Sequence, residues 1–108
     1  MAATPRLFAP EAAERQRLDK WLWFARVVKT RRQAVDLIAG GHVRVDSRRI
    51  ETPAKLVGPG EVLTIALERQ VRVLRIIGLA GRRGSAVEAQ NLFVDLNVKG
   101  LAVEPEAV

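Results

Sequence analysis

The apolar residues of this chain pass from helical to alternating spacing at Gly40-Gly41, and that change sets the order in which most of its secondary structure comes. Before the glycines, Leu18, Trp21, Leu22, Ala25 and Val28 recur at three- and four-residue intervals, so the spacing predicts a helix over 18–28 with one apolar stripe. Thr30, three residues ahead of Gln33, has the pattern of a capping box, and the helix it opens buries Ala34, Leu37 and Ile38. The two glycines can take the positive φ that closes a helix. Beyond them the apolar residues fall into short β-branched runs at 43–46, 62–65 and 71–77, which read as strands. Residues 47–49 read as polar turn and 52–56 as an extended stretch carrying Pro53. Gly58-Pro59-Gly60 places Pro before Gly, as a type II turn prefers. After a loop at 81–84, Ser85 and Glu88 form a second capping box, for a helix over 86–96. Two helices, then strands, then a helix make an α+β fold.

With 108 residues, 48% of them hydrophobic and 28% charged, the chain has material for one such core and no second domain. The expected organisation is a loose N-terminal arm at 1–16, a folded domain at 17–99 and an acidic, fraying tail at 100–108. There is no cysteine and one histidine, so neither disulfides, thiolate metal sites nor a histidine cluster can form. No nucleophile is set beside a base, and the acids Asp19, Asp36 and Asp46 each stand among cations, so catalytic residues, metals and cofactors are expected to be none. The N-terminus lacks a charged-then-apolar leader and no apolar run approaches the ~20 residues of a membrane span, which points to a cytoplasmic protein without a membrane partner.

Function is read from charge. Residues 17–49 carry Arg17, Lys20, Arg26, Lys29, Arg31, Arg32, Arg44, Arg48 and Arg49 against three aspartates, an excess of +6 that equals the net charge of the whole chain. Such concentration marks a surface that neutralises a polyanion, because counterion release from phosphates dominates nucleic-acid affinity. Arg31 and Arg32 stand out, since cations in a first helical turn oppose the macrodipole at about 0.3–1 kcal/mol each. A phosphate contact beside the free N–H groups of the helix end accounts for them; the alternative is a solvated charged face. Gly41 can let a backbone approach RNA closely, or it can do no more than end the helix, as Gly40 does. His42 is a candidate stacking or phosphate residue with a plain surface role as its rival. Trp23 and Phe24 lie off the main stripe; packing against Leu92, Phe93 and Leu96 is preferred over stacking on RNA bases. Arg82-Arg83 between two glycines has the form of a small anion nest, a weak signal in a flexible loop.

The run Arg17-Leu18-Asp19-Lys20-Trp21-Leu22, then Lys29-Thr30-Arg31, the glycine pair and Val43-Arg44-Val45, resembles the αL RNA-binding motif of S4-type domains. With its two tryptophans and the later Ser85-Ala86-Val87-Glu88-Ala89, the chain is similar to the ribosome-associated heat shock protein 15 family over about residues 17–96. The resemblance implies a helix pair packed on a small twisted antiparallel sheet, and RNA bound along the αL surface. By position it puts Arg17, Lys20, Lys29, Arg31, Arg32, Gly41 and Arg44 on that surface, to which the charge reading adds His42, Arg48 and Arg49. It also implies action on large ribosomal subunits that have dissociated while holding peptidyl-tRNA, with ribosomal RNA as partner and peptidyl-tRNA as a further contact. Asp46-Ser47 stands where an Asn-Gly turn is usual, and the long basic tail of some relatives is missing.

The combined reading is a monomeric, non-catalytic protein that binds ribosomal RNA of the large subunit and aids rescue or recycling of stalled particles. The rivals are a DNA- or general polyanion-binding protein and an RNA-targeting accessory of an RNA-modifying enzyme.

Overall fold

A computed structural model describes residues 14–96. The chain enters through a short strand β1 (Gln16–Arg17) and turns directly into helix α1 (Leu18–Phe24) and helix α2 (Arg31–Ala39). Strands β2 (Val43–Val45), β3 (Arg48–Ile50), β4 (Leu56–Val57), β5 (Val62–Ala66) and β6 (Val71–Ile76) follow. The described part closes with a single helical turn α3 (Ala86–Ala89), a 3₁₀ turn at Gln90–Leu92 and strand β7 (Phe93–Asp95). Five strands form an antiparallel sheet in the order β3-β2-β5-β6-β7, and β1 pairs with β4 in a separate two-stranded ribbon. The architecture is the α+β arrangement expected, with both helices against one sheet face.

Alternation decides that face. Val43 and Val45 of β2, Leu63 and Ile65 of β5, and Leu74 and Ile76 of β6 are buried, and they share the pleat side that meets Leu18, Trp21, Leu22, Ala34 and Ile38 of the helices. Trp21 has no exposed surface: its ring meets Phe93 edge-on at 6.2 Å, and its indole N–H donates to the Gly78 carbonyl at 3.0 Å.

Helix α1 ends earlier than its apolar stripe suggests. The stripe runs on to Val28, but Arg26 takes φ 61°, and the chain leaves the helix after Phe24. The closing bonds are Arg26 N–H to the Trp23 carbonyl and Val27 N–H to the Leu22 carbonyl, the paired pattern of a left-handed helix stop. Val28 still reaches the core, delivered by the turn rather than by another helical residue. Helix α2 stops in the same way. Gly41 has φ 82°, Gly41 N–H donates to the Ile38 carbonyl and His42 N–H to the Leu37 carbonyl, both at 3.0 Å. At its start both halves of the expected Thr30–Gln33 capping box are formed.

Three other expectations change. The turn read from composition at 47–49 lies at Asp46-Ser47, where the resemblance put it; both residues are at positive φ (51° and 74°), so β2 and β3 form a tight two-residue hairpin and Arg48 and Arg49 belong to a strand. The Asp46 carboxylate also accepts the Val62 N–H at 2.9 Å, fixing this hairpin to β5. The helix over 86–96 is formed only at its capped start; Phe93-Val94-Asp95 instead completes the open edge of β6, with Ile76 opposite Phe93 and Leu74 opposite Asp95. The edge offers ladder hydrogen bonds that a short helical segment cannot match, and Arg72 secures the strand over the Phe93 ring and to Asp95 at 3.2 Å. Gln16, placed in the loose arm, is opposite Val57 in a strand, and its side-chain amide donates to the Ala80 carbonyl at 2.7 Å. The rest of the arm at 1–13 and the acidic tail at 100–108 lie outside the described residues.

Candidate nucleic-acid interface

The first turn of α1 is built around one buried acid. Asp19 has no exposed surface, and both carboxylate oxygens are used: Oδ1 accepts from Arg17 Nε at 3.0 Å and from the Lys20 backbone N–H at 2.7 Å, while Oδ2 accepts from an Arg17 terminal nitrogen at 2.8 Å. Arg31 Nε stands 3.5 Å from the same Oδ2. Burial pushes the Asp19 carboxyl up, the largest single influence, yet the hydrogen bonds and charges of Arg17, the charge of Arg31 and the Lys20 N–H together hold it below the usual carboxylate range. Asp19 in turn raises the Arg17 guanidinium above its ordinary value, chiefly through their hydrogen bonds. The effect is geometric. Arg17 from β1 and Arg31 from α2, fourteen positions apart in sequence, are clamped side by side on one anion while each side chain stays about two-fifths exposed.

The same acid answers part of the dipole argument. Arg31 at the start of α2 is compensated by Asp19, and Arg32, almost fully exposed, lies 3.3 Å from Asp36 one turn on. An exposed pair of that kind contributes only a few tenths of a kcal/mol, so Arg32 remains available to an outside anion.

A second basic group sits at the other end of α2, about 15 Å along its axis. In the β2–β3 hairpin Arg44 is directly opposite Arg49, on the pleat side facing away from the helices. Arg44 bonds the Ser47 carbonyl at 3.3 Å, and Arg49 lies 3.5 Å from Glu51. Gly41 packs against this group: an added Cβ would come within 3.3 Å of Arg49 Cδ. Its positive φ of 82° is one that glycine takes without the strain a side chain would add, so the helix stop by itself favours glycine here.

The remaining candidates are spread around these groups. Arg48 is exposed, but it is opposite Val45 and so belongs to the other pleat side, at the sheet edge. Lys20 is half-buried on α1. Lys29 and His42 are exposed and line an open cleft of about 850 Å³ between the α1–α2 turn, α2 and the β5–β6 turn. Arg83 is no anion nest: it donates to the Trp23 and Val28 carbonyls at 3.1 and 3.4 Å, while Arg26 donates to the Gly84 carbonyl at 2.9 Å. The loop at 81–84 is a clamp on the end of α1. Phe24 is buried and stacks on the half-buried Trp23 at 5.5 Å, and both pack on the core, although Phe93 turns to Trp21 instead.

A family model, the S4 domain, matches residues 16–63, the span that contains both arginine groups. A heat shock protein 15 homolog of Aeromonas salmonicida is 36% identical over 99 residues, covering 90% of this chain and 74% of its own. The chain belongs to the heat shock protein 15 family. Heat shock protein 15 of Escherichia coli is 38% identical over 77 residues, and there the match spans only 57% of the relative's length. The fold agrees as well. The solved trimeric structure of Vibrio cholerae heat shock protein 15 superposes with a TM-score of 0.74 at 33% identity, over 87% of this chain and 92% of that one. Asp19 is the residue that sequence reasoning undervalued. Its signal in the sequence is that it stands three residues before Leu22 of the apolar stripe and two after Arg17, the kind of partner that a buried carboxylate needs.

Proposed function

We propose that this chain is a non-catalytic RNA-binding protein of the cytoplasm whose target is ribosomal RNA of the large subunit. Its S4 domain and its heat shock protein 15 relatives support RNA binding in general. The observation that carries the surface assignment is the pair Arg17 and Arg31 held on buried Asp19. Guanidinium groups fixed at a set spacing suit A-form RNA, which is read through shape, phosphates and 2′-OH groups more than through base edges. Arg32, Lys20 and Lys29 extend the contact along α1 and α2. Arg44, Arg49, Gly41 and His42 meet the RNA at the far end of α2, and Arg48 reaches it from the sheet rim.

The finer reading is that the protein acts as a single copy on dissociated large subunits that still hold peptidyl-tRNA, contacting peptidyl-tRNA or its surroundings and aiding rescue or recycling of the stalled particle. Sedimentation of tagged protein from cell extract through a sucrose gradient tests it. The protein is expected with free large subunits, at one copy per particle, more strongly when peptidyl-tRNA is retained and weakly with translating ribosomes. Equal recovery in every fraction, or recovery with DNA instead, defeats the reading.

A further inference from the structure

The cleft beside α2 is larger than a basic surface patch requires, and phosphate binding alone leaves its interior unexplained. Its volume of about 850 Å³ lies in the range of sites that enclose small ligands. The inner wall is aliphatic: Val27, Leu37 and Leu67, all half-buried, come from the α1–α2 turn, α2 and the end of β5. Cations stand around it, with Arg26, Lys29, Arg69 and Arg83 lining the cleft against the acids Asp36 and Glu68. Asp36 lies beside Arg32, Arg83 bonds the Trp23 and Val28 carbonyls and Arg26 Nε bonds the Gly84 carbonyl, so Lys29 and Arg69 are the lining cations on which the cleft's charge toward an outside anion chiefly rests. The occupant this selects has a flat apolar face and an attached anion.

One ring is placed to meet that face. His42 follows the left-handed stop at Gly41, and its imidazole lies over Gly40, where an added Cβ would come 3.0 Å from the ring carbon Cδ2. The absence of a side chain at Gly40 seats the ring at the cleft wall. Gln70, from the β5–β6 turn, adds an amide able to reach a base edge.

We infer that this cleft binds one unstacked nucleotide of the RNA, the base lying against Val27, Leu37, Leu67 and His42 and its flanking phosphates meeting Lys29 and Arg69. The inference rests on the RNA-binding reading and deepens it. Bases splayed out of bulges and loops are what proteins read in RNA, and stacking of one base is worth on the order of tenfold in affinity or more. Lys29 and His42 join the cleft to the arginine surface, so a duplex lying on α1 and α2 can deliver a bulged residue into it.

The test uses three RNA hairpins with one common stem: fully paired, with a single-nucleotide bulge, and with the same bulge lacking its base. Affinities are measured by fluorescence anisotropy at one salt concentration. The bulged hairpin is expected to bind roughly tenfold more tightly than the paired one, and the abasic bulge to lose most of that gain. Two variants in the β5–β6 turn, Leu67→Gln and Gln70→Ala, should bring the bulged hairpin toward the level of the paired one and leave the paired one unchanged, with circular dichroism verifying their fold. Equal binding of bulged and paired hairpins, an abasic bulge as good as the intact one, or a preference untouched by both folded variants overturns the cleft assignment. Failure to bind any hairpin overturns the RNA-binding reading itself.

Discussion

Asp19 makes opposite demands on stability and on charge, and that separates its roles. With a folded-state pKa below the unfolded value of about 3.9, it contributes stability that is complete above that value and is lost as pH falls through the lowered folded pKa. Asp19→Asn should therefore melt below wild type at neutral pH by about 1–2 kcal/mol, the lower part of the range for hydrogen bonds to a charged group because its arginine partners are partly solvated. Urea melts should show that gap closing as pH falls toward 3. A gap that stays constant across that range would mean the carboxylate charge is not what stabilises the turn. The same variant removes a negative charge, which on electrostatics alone strengthens RNA binding. If holding Arg17 and Arg31 in place matters more, affinity falls instead, and a fall is expected. Arg26 presents a second residue-scale contrast, since its left-handed backbone costs roughly 1–2 kcal/mol that glycine does not incur. Arg26→Ala and Arg26→Gly both remove the bond to Gly84, so the glycine variant should be the more stable by about 1 kcal/mol in denaturant melts.

At the scale of elements, what could be read in advance was whatever is decided within about five residues. Both capping boxes, the glycine stop of α2 and the Gly58-Pro59-Gly60 turn are formed as expected, the last with Gly60 at φ 99° and Glu61 N–H reaching the Gly58 carbonyl. Such features rest on local hydrogen bonds that a sequence spells out. The misplaced boundaries all depend on distant partners. Arg26 can hold a left-handed stop because the 81–84 loop grips both sides of it, and Phe93-Val94-Asp95 extends because β6 has an edge to fill. In the candidate surface the charges were visible by composition, whereas the burial of Asp19 and the opposite pleats of Arg48 and Arg49 needed tertiary structure. The aromatic residues of α1 test this picture. Trp21 is enclosed and hydrogen-bonded, while Trp23 is half-buried, so Trp21→Ala should cost about 3–5 kcal/mol and Trp23→Ala clearly less, about 1–3 kcal/mol. Thermal melts giving the reverse order would show that the packing of α1 is misassigned. Normal stability with lost RNA affinity in Trp23→Ala would restore the stacking role.

For the whole molecule, charge is segregated by element. Residues 17–49 hold an excess equal to that of the entire chain, so the sheet beyond β3 and the rest of the protein are neutral in sum. On the proposed reading a polyanion is drawn to the elements that hold this excess, α1, α2 and the β2–β3 hairpin. If about five phosphates are neutralised there, log K should fall with log salt at a slope of roughly −3.5 to −4.5. Replacing Arg31 and Arg32 together with Ala removes two of the contacts, and the slope should flatten by about 1.4–1.8. The fold should survive, because Arg17 still satisfies both oxygens of Asp19 and the Arg32–Asp36 pair is exposed. Arg82→Ala is the control: it removes one positive charge of the same chain from a loop outside the segment, where its neighbour is Glu88 at 3.6 Å. Net charge acting as a whole would make Arg82→Ala about half as harmful as the double variant. Discrete phosphate contacts on α2 predict no change in slope for Arg82→Ala and a flatter line for Arg31→Ala/Arg32→Ala, and a titration series between 50 and 300 mM salt distinguishes the two.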